Sequence, residues 1–415
     1  MPRTGVHRHL PSAQVPPWTV RRDHTANKAI PKILKPDWTR LMTTRTSELV
    51  PSDMKGLWGF VPACSTPDAA DVNAVDTIDT DALASLVDRL VRDGVDGIVT
   101  TGSAGESHTL SDDEYRTLIT TVVETVNARV PVFVGASTLN TRDSIRRARV
   151  IADLGADGIM SGPPMYLPQT AENAVQYYKD LAEAVPELAI MIYQNPHAFR
   201  ITLPPGAFRE LAQIRNIVAL KQTSMDIFNV IGAIKAVKDK MSVLVLDQLM
   251  YPAMMFGAAG AWSIDVCMGP WPALSLRDAC QRGDWTEAAT IADQMQAPFR
   301  TLGLTMEEFQ AMQSAWWKMA IDTAGYGRAG AARPPFVHIP QTVVDSAHRY
   351  GERWAGLAER YHRSRQAAGL PPAAANGTPA SSSTPGKNLK GDLLTTPATY
   401  ASRSVANVAS PLSSD

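Results

Sequence analysis

The feature that most constrains this chain is a regular alternation of short apolar segments with amphipathic segments, which runs from Lys55 to Ile264. Short apolar runs bounded by polar or turn residues are typical of buried strands in a parallel sheet. The amphipathic segments have apolar residues at helical spacing and begin with capping residues such as Thr80 and the pair Ser111 and Glu114. The predicted strands are residues 58–62, 97–101, 131–136, 158–161, 189–193, 217–221, 242–247 and 261–264.

Eight strands that alternate with helices predict an α/β fold, and the number eight favours closure into a (β/α)8 TIM barrel with additional C-terminal helices. The alternative is an open, doubly wound parallel sheet. That alternative is disfavoured because no strand is followed by a GxGxxG or GxxxxGK[ST] loop.

The organisation outside the barrel follows from composition. Residues 1–48 are basic, contain proline and lack periodicity, so we expect a flexible arm or a packing extension. The barrel is predicted over residues 55–270. Residues 271–362 are predicted to form three or so further helices that pack on it. Residues 366–415 are rich in Pro, Ala, Ser, Thr and Gly, and we expect a disordered tail.

Composition excludes several classes of function. The 415 residues include 40 Lys and Arg against 41 Asp and Glu, so no broad basic surface for nucleic acid is expected. The longest apolar run, 253–264, is too short to cross a bilayer, and the N-terminus has no hydrophobic signal region. Three scattered cysteines without a CxxC or Cys/His pattern predict a reducing, cytoplasmic location and no metal site.

Lys221 is the strongest candidate for chemistry. It ends the apolar run Ile217–Leu220, so it is predicted at the C-terminal end of a buried strand, the end at which barrel active sites lie. Burial disfavours the ammonium and makes the neutral amine accessible, and an amine beside a carbonyl substrate forms a Schiff base. The alternative is a lysine that simply reaches water at the strand edge.

Other strands bring polar and aromatic groups to the same mouth. Residues 102–105 form a glycine-rich turn whose N–H groups and Ser103 hydroxyl can bind a carboxylate, or which is an ordinary turn. Tyr193 is interpreted either as a proton relay or as a core tyrosine. Trp262 is interpreted either as a contact for an aromatic substrate or as a residue that fills the barrel. Glu106 and Asp247 are interpreted as structural carboxylates.

Four motifs together resemble a known family. They are GSAGES (102–107), IYQNP (192–196), ALKQTS (219–224) and GAAGAWS (257–263). In this order and spacing the chain resembles the dihydrodipicolinate synthase / N-acetylneuraminate lyase family of class I pyruvate aldolases, over about residues 55–350. The resemblance implies a homotetramer, an α-keto acid substrate and catalysis through a covalent Schiff base without a metal or organic cofactor.

The resemblance also implies roles for individual residues. Lys221 is expected to form the Schiff base and Tyr193 to relay protons. Ser103 and Ala104 occupy the positions that bind the carboxylate of the α-keto acid. Tyr166 belongs to a stretch that lies near the subunit interface and is included among the expected substrate-binding residues.

Departures from the synthase pattern narrow the substrate. One turn threonine is replaced by Ala104, and the arginine that binds a second carboxylate is replaced by Ala198, which argues against a small dicarboxylic substrate. The stretches YQNPHAF (193–199) and GYGRAGAARPP (325–335), with Trp262, resemble instead the hydratase-aldolase branch, which acts on benzylidenepyruvates in the degradation of aromatic hydrocarbons. Asn195 is then expected to position a water or the ring substituent. Trp262 and Ser263 complete the expected substrate-binding set.

The hypothesis is therefore cleavage of an aromatic α-keto acid to an aromatic aldehyde and pyruvate through an iminium on Lys221. One alternative is another aldolase, synthase or dehydratase of the same family, acting on a sugar acid or forming dihydrodipicolinate. The other is a non-catalytic barrel that binds a keto acid as a sensor.

Overall fold

A computed structural model describes residues 48–369 of the chain, and they form a closed barrel of eight parallel strands. Each strand pairs with the next, and the eighth pairs with the first through Gly56 opposite Gly260. The predicted TIM barrel is confirmed. The strands are β1 (Gly56–Phe60), β2 (Gly97–Thr100), β3 (Val132–Gly135), β4 (Gly158–Ser161), β5 (Ala189–Gln194), β6 (Ile217–Gln222), β7 (Ser242–Leu246) and β8 (Gly260–Ser263).

Helices connect successive strands and cover the outside of the barrel. The predicted capping box is present, since the Ser111 hydroxyl accepts a hydrogen bond from the N–H of Glu114 and the Glu114 carboxylate accepts one from the N–H of Ser111. The helices of the barrel are α1 (Thr80–Asp93), α2 (Asp112–Val126), α3 (Thr141–Asp153), α4 (Ala171–Ala184), α5 (Pro196–Phe199), α6 (Pro205–Leu211), α7 (Ile227–Val237) and α8 (Met250–Met255).

Seven of the eight predicted strands are wrong by one or two residues at one or both ends, and so is the start of α1. The N-cap of α1 is Asp79, whose carboxylate accepts from the N–H of Ala82, and Thr80 is the first helical residue. Strand β1 begins at Gly56, because Gly56 and Leu57 pair with Gly260 and Ala261 of β8, and it ends at Phe60.

Five helices follow the barrel within the described residues, more than the three or so expected. The last of them continues past residue 362 and past 366, the predicted start of the tail. Its apolar side chains Tyr350, Trp354 and Leu357 are buried, and Arg365 pairs with Asp278 at 2.6 Å, so the final turn is anchored. The helices are α9 (Trp271–Arg282), α10 (Trp285–Phe299), α11 (Met306–Ala311), α12 (Gln313–Ala324) and α13 (Gln341–Ala367).

The arm predicted over 1–48, except Glu48, and most of the tail predicted over 366–415 lie outside the described residues. No helix within 48–369 is long and apolar enough to span a bilayer.

The barrel interior is closely packed around Trp58, which is fully buried and meets Phe133 edge to face at 5.4 Å between ring centroids. A Cβ at Gly97, on the neighbouring strand, would lie 2.5 Å from the Trp58 ring. Gly97 is therefore required by close approach of the indole. Gly232, in the middle of α7, has open space around its Cβ position.

These two glycines predict opposite effects of one substitution. Gly97→Ala should lower the free energy of unfolding by about 1–3 kcal/mol, because it overpacks the barrel core. Gly232→Ala should raise it by up to about 1 kcal/mol, because alanine is the better helix former. Denaturant unfolding followed by circular dichroism measures both; a neutral Gly97→Ala would contradict the packing described here.

Candidate active site

The C-terminal ends of the strands open into a cavity of about 1200 Å³, large enough for a substrate that carries an aromatic ring. Lys221, Tyr193, Ser103, Ala104 and Asn195 all line it. The wall also contains aromatic side chains from several elements, namely Phe60, Phe208, Trp262, Phe299, Phe309 and Trp317.

Lys221 and Tyr193 are side by side because they are register partners on β6 and β5. The pairing of these strands skips Val218, which leaves an irregularity below the lysine. The Lys221 side chain is 4% exposed, and its Nζ lies 3.9 Å from the ring centroid of Tyr193 and 3.9 Å from that of Trp262. Phe60 closes a third side, at 4.6 Å. The amine is thus enclosed by aromatic rings rather than by carboxylates.

This environment changes the acidity of both groups. Burial lowers the pKa of Lys221 below its usual value, although the neighbouring Tyr193 partly opposes the effect. Burial alone would raise the pKa of Tyr193, but the charge of Lys221 and hydrogen bonds from Ser103 and Asn195 outweigh it, so the Tyr193 pKa is lowered. Both pKa values therefore lie below their usual values, which makes the neutral amine and the ionised tyrosine more accessible for proton transfer.

The Tyr193 hydroxyl is held by two polar side chains. Asn195 donates to it from Nδ2 at 3.1 Å, and the Ser103 hydroxyl lies 3.3 Å away. Asn195 is itself fixed as the N-cap of α5, since its Oδ1 accepts from the N–H of Ala198. Tyr193 therefore connects the amine to the glycine-rich turn.

The glycine-rich turn presents unused donors to the cavity. The N–H groups of Ser103, Ala104 and Gly105 donate to no other described residue, and all three residues line the cavity. Gly105 is required by close approach, since a Cβ there would lie 2.6 Å from the N of Thr101. Such converging N–H groups can bind a carboxylate.

A buried ionic cluster holds this turn in place. Glu106, fully buried and at a positive φ of 52°, accepts from Lys318 at 2.5 Å and from Arg333 at 2.8 Å. Lys318 also donates to the Ser65 hydroxyl, and Arg333 also donates to the Thr77 hydroxyl. The turn is thereby tied to α12 and to the 325–335 segment, which is consistent with the interpretation of Glu106 as a structural carboxylate.

Of the three remaining residues predicted to bind substrate, one lies on the cavity wall and two do not. Trp262 lines the cavity and donates from Nε1 to the carbonyl of Gln222 at 2.9 Å. Ser263 is fully buried and donates to Asp247, so its side chain supports the wall rather than forming it. Tyr166 is 74% exposed and is not part of the cavity wall formed by the described residues.

Several residues of the cavity wall were not predicted from the sequence. Phe60 lies within its first predicted strand, and Gln310, Gln313 and Trp317 lie on helices that follow the barrel. The ionic cluster does have a sign in the sequence. Lys318 is a charged residue within the otherwise apolar run AWWKMAI (315–321), which indicates a buried lysine that needs an anionic partner. Within residues 48–369, no group of three His, Cys, Asp or Glu side chains could hold a metal ion.

Comparison with known proteins identifies the family of the chain. The model of the dihydrodipicolinate synthetase family matches residues 58–349. The chain belongs to that family.

Among curated relatives, the trans-O-hydroxybenzylidenepyruvate hydratase-aldolase of Pseudomonas putida is 36% identical over 328 residues, which cover 77% of this chain and 98% of the relative. The trans-2'-carboxybenzalpyruvate hydratase-aldolase of a Nocardioides species is 35% identical over 326 residues, covering 76% and 98%. Among solved structures, PhdJ bound to a substrate intermediate superposes with a TM-score of 0.74 at 34% identity, covering 76% of this chain and 99% of PhdJ.

The ionic cluster predicts a large effect of one isosteric substitution. Glu106→Gln should lower the free energy of unfolding by about 3–5 kcal/mol, because it leaves Lys318 and Arg333 buried without their anion. Glu124→Gln, on the exposed side of α2, is the control and should change it by no more than about 0.5 kcal/mol. Equal stability of the two variants would show that the cluster is not needed.

Proposed function

We propose that the protein is a Schiff-base-forming hydratase-aldolase, which cleaves a benzylidenepyruvate-type α-keto acid to an aromatic aldehyde and pyruvate. The observation that carries this proposal is a buried amine, enclosed by aromatic rings, beside a hydrogen-bonded tyrosine. A lysine that only reached water at the strand edge would not be 4% exposed. The hydratase-aldolase relatives, of which 98% of the length is matched, support the reaction class.

In the first stage the substrate is joined to the protein. Its carboxylate binds the N–H groups of Ser103, Ala104 and Gly105, which places the keto carbon near Lys221. The neutral amine attacks that carbon, and loss of water forms an iminium conjugated to the carbon–carbon double bond. The iminium withdraws electrons from the benzylic carbon and makes it electrophilic.

In the second stage water adds and a bond breaks. The oxygen of a water adds to the benzylic carbon, and its proton is delivered to the neighbouring carbon. Tyr193 then accepts the proton of the new hydroxyl while the bond between these two carbons breaks, which releases the aldehyde and leaves an enamine on Lys221. Protonation and hydrolysis of the enamine release pyruvate and restore the amine. Asn195, bonded to Tyr193, is placed to orient the water or the hydroxyl.

The cavity favours an aromatic substrate over the alternatives within the family. A sugar acid needs several hydroxyl partners, whereas Phe60, Trp262, Phe309 and Trp317 give this wall a largely aromatic character. A keto acid sensor would have no use for an amine with a lowered pKa beside a tyrosine. We also propose a cytoplasmic homotetramer; sedimentation of the full chain tests the assembly.

Covalent trapping tests the proposed function. Borohydride added with pyruvate should leave a carboxyethyl group on Lys221, detected by mass spectrometry of peptides. Lys221→Ala should give no adduct, whereas Lys235→Ala, an exposed lysine on α7, should react as the native protein does. An adduct on another lysine, or none, would remove the proposal.

The pKa shifts predict a pH dependence. Because the Lys221 pKa is lowered, the rate of adduct formation should rise with pH and level off at a pH below 10.5, the usual pKa of a lysine. Tyr193 raises the Lys221 pKa, so Tyr193→Phe should move this rise to lower pH while it slows cleavage by about 10²–10⁴-fold. Quenching with borohydride over a pH series and a turnover assay measure the two effects. An unshifted rise, or normal cleavage, would contradict the coupling of the two groups.

A further inference from the structure

The wall of the cavity carries several carboxyl groups that the proposed chemistry does not use. Asp247, Asp265 and Glu307 line it, whereas Lys221 is the one lysine or arginine on the same wall within residues 48–369. His197 also belongs to the wall and is exposed at its rim. An anionic group on the substrate, apart from the one bound by the turn, therefore meets carboxyl groups and finds no lysine or arginine partner.

Asp247 and Asp265 form a buried pair that follows β7 and β8. Asp247 is 1% exposed and accepts from the Ser263 hydroxyl and from the N–H of Gln248 at 2.8 Å. Asp265 is 3% exposed, and its Oδ1 accepts from the Tyr350 hydroxyl at 3.0 Å. No N–H or O–H group of the described residues donates to its Oδ2, and neither aspartate has a basic partner there.

Hydrogen bonds favour a negative charge on one member of the pair. Both oxygens of Asp247 accept, one from the N–H of Gln248 and one from the Ser263 hydroxyl, which stabilises the ionised carboxylate although burial raises its pKa to about 6. Burial and the charge of Asp247 raise the pKa of Asp265 well above its usual value, which favours the protonated form of this second carboxyl.

Building on the proposed function, we propose that Asp247 and Asp265 restrict the substrate to benzylidenepyruvates whose ring is unsubstituted or carries a neutral group such as a hydroxyl, and exclude those whose ring carries a carboxylate. In the proposed binding mode the carboxylate of the keto acid already occupies the free N–H groups of Ser103, Ala104 and Gly105 in the glycine-rich turn, so these groups cannot bind a second carboxylate. A ring carboxylate would lose its hydration in a cavity with anionic walls, which is strongly unfavourable. A hydroxyl can instead donate a hydrogen bond to a carboxyl or side-chain amide oxygen on the wall.

The direct test compares two substrates of nearly equal size. Benzylidenepyruvate with an ortho-carboxylate and its ortho-carboxamide analogue differ in charge, so the comparison removes the steric contribution. The native protein should show a kcat/KM about 100-fold lower for the carboxylate than for the carboxamide, measured by loss of the conjugated absorbance. Similar values, or a preference for the carboxylate, would overturn the proposal.

Two variants test the named residues. Asp247→Asn removes the charge of the pair. It should raise the ratio of kcat/KM for the carboxylate substrate to kcat/KM for the carboxamide substrate about tenfold. Gln310→Arg adds a cation at a half-buried wall position without disturbing the buried pair, and it should raise the same ratio even if Asp247→Asn does not fold. Glu183→Gln, on the exposed side of α4, is the matched control and should leave the ratio unchanged. An unchanged ratio in folded Asp247→Asn or in Gln310→Arg would overturn the assignment.

The outcomes separate this proposal from the one on which it rests. If neutral substrates are cleaved and the carboxylate is cleaved equally well, the charge selection fails and the aldolase remains. If no substrate is cleaved and pyruvate leaves no adduct on Lys221, the aldolase itself fails.

Discussion

The enclosure of one amine by aromatic rings is the constraint on which the rest of the site depends. Lys221 is register partner to Tyr193, and Trp262 and Phe60 close the space around its Nζ, so the ammonium loses hydration without gaining a carboxylate. Cation–π contacts recover part of that loss but leave the pKa of Lys221 lowered. A carboxylate in their place would hold the amine protonated and make it a poor nucleophile.

The helices that follow the barrel are part of the same arrangement. Glu106 joins the glycine-rich turn to Lys318 on α12 and to Arg333, and the Ser314 hydroxyl donates to the carbonyl of Ser103 at 3.1 Å. The turn that is proposed to bind the substrate carboxylate is thus positioned by charges more than 200 residues further along the chain. The barrel supplies the amine and the tyrosine, whereas the C-terminal segment fixes the group that faces them.

The barrel could be predicted from sequence because its signal is local. Apolar periodicity and capping residues such as Ser111 and Glu114 depend on neighbours a few positions away. The ends of elements were less predictable, because they depend on distant partners: β1 starts at Gly56, where it pairs with Gly260 of β8. The wall contributed by α11 and α12 was missed for the same reason, since nothing local in Gln310 or Trp317 shows that these helices return to the mouth. Ser263 was assigned to the cavity from its strand, but alternation turns its side chain toward Asp247.

The central claim is that a single covalently bound amine both activates the double bond and accepts the electrons of the broken bond. The most direct measurement is the product balance of unsubstituted benzylidenepyruvate, with pyruvate measured by lactate dehydrogenase and the aldehyde by chromatography. The account predicts equal amounts of benzaldehyde and pyruvate from the native protein and neither product from Lys221→Ala. Aldehyde released at the native rate by Lys221→Ala would contradict it.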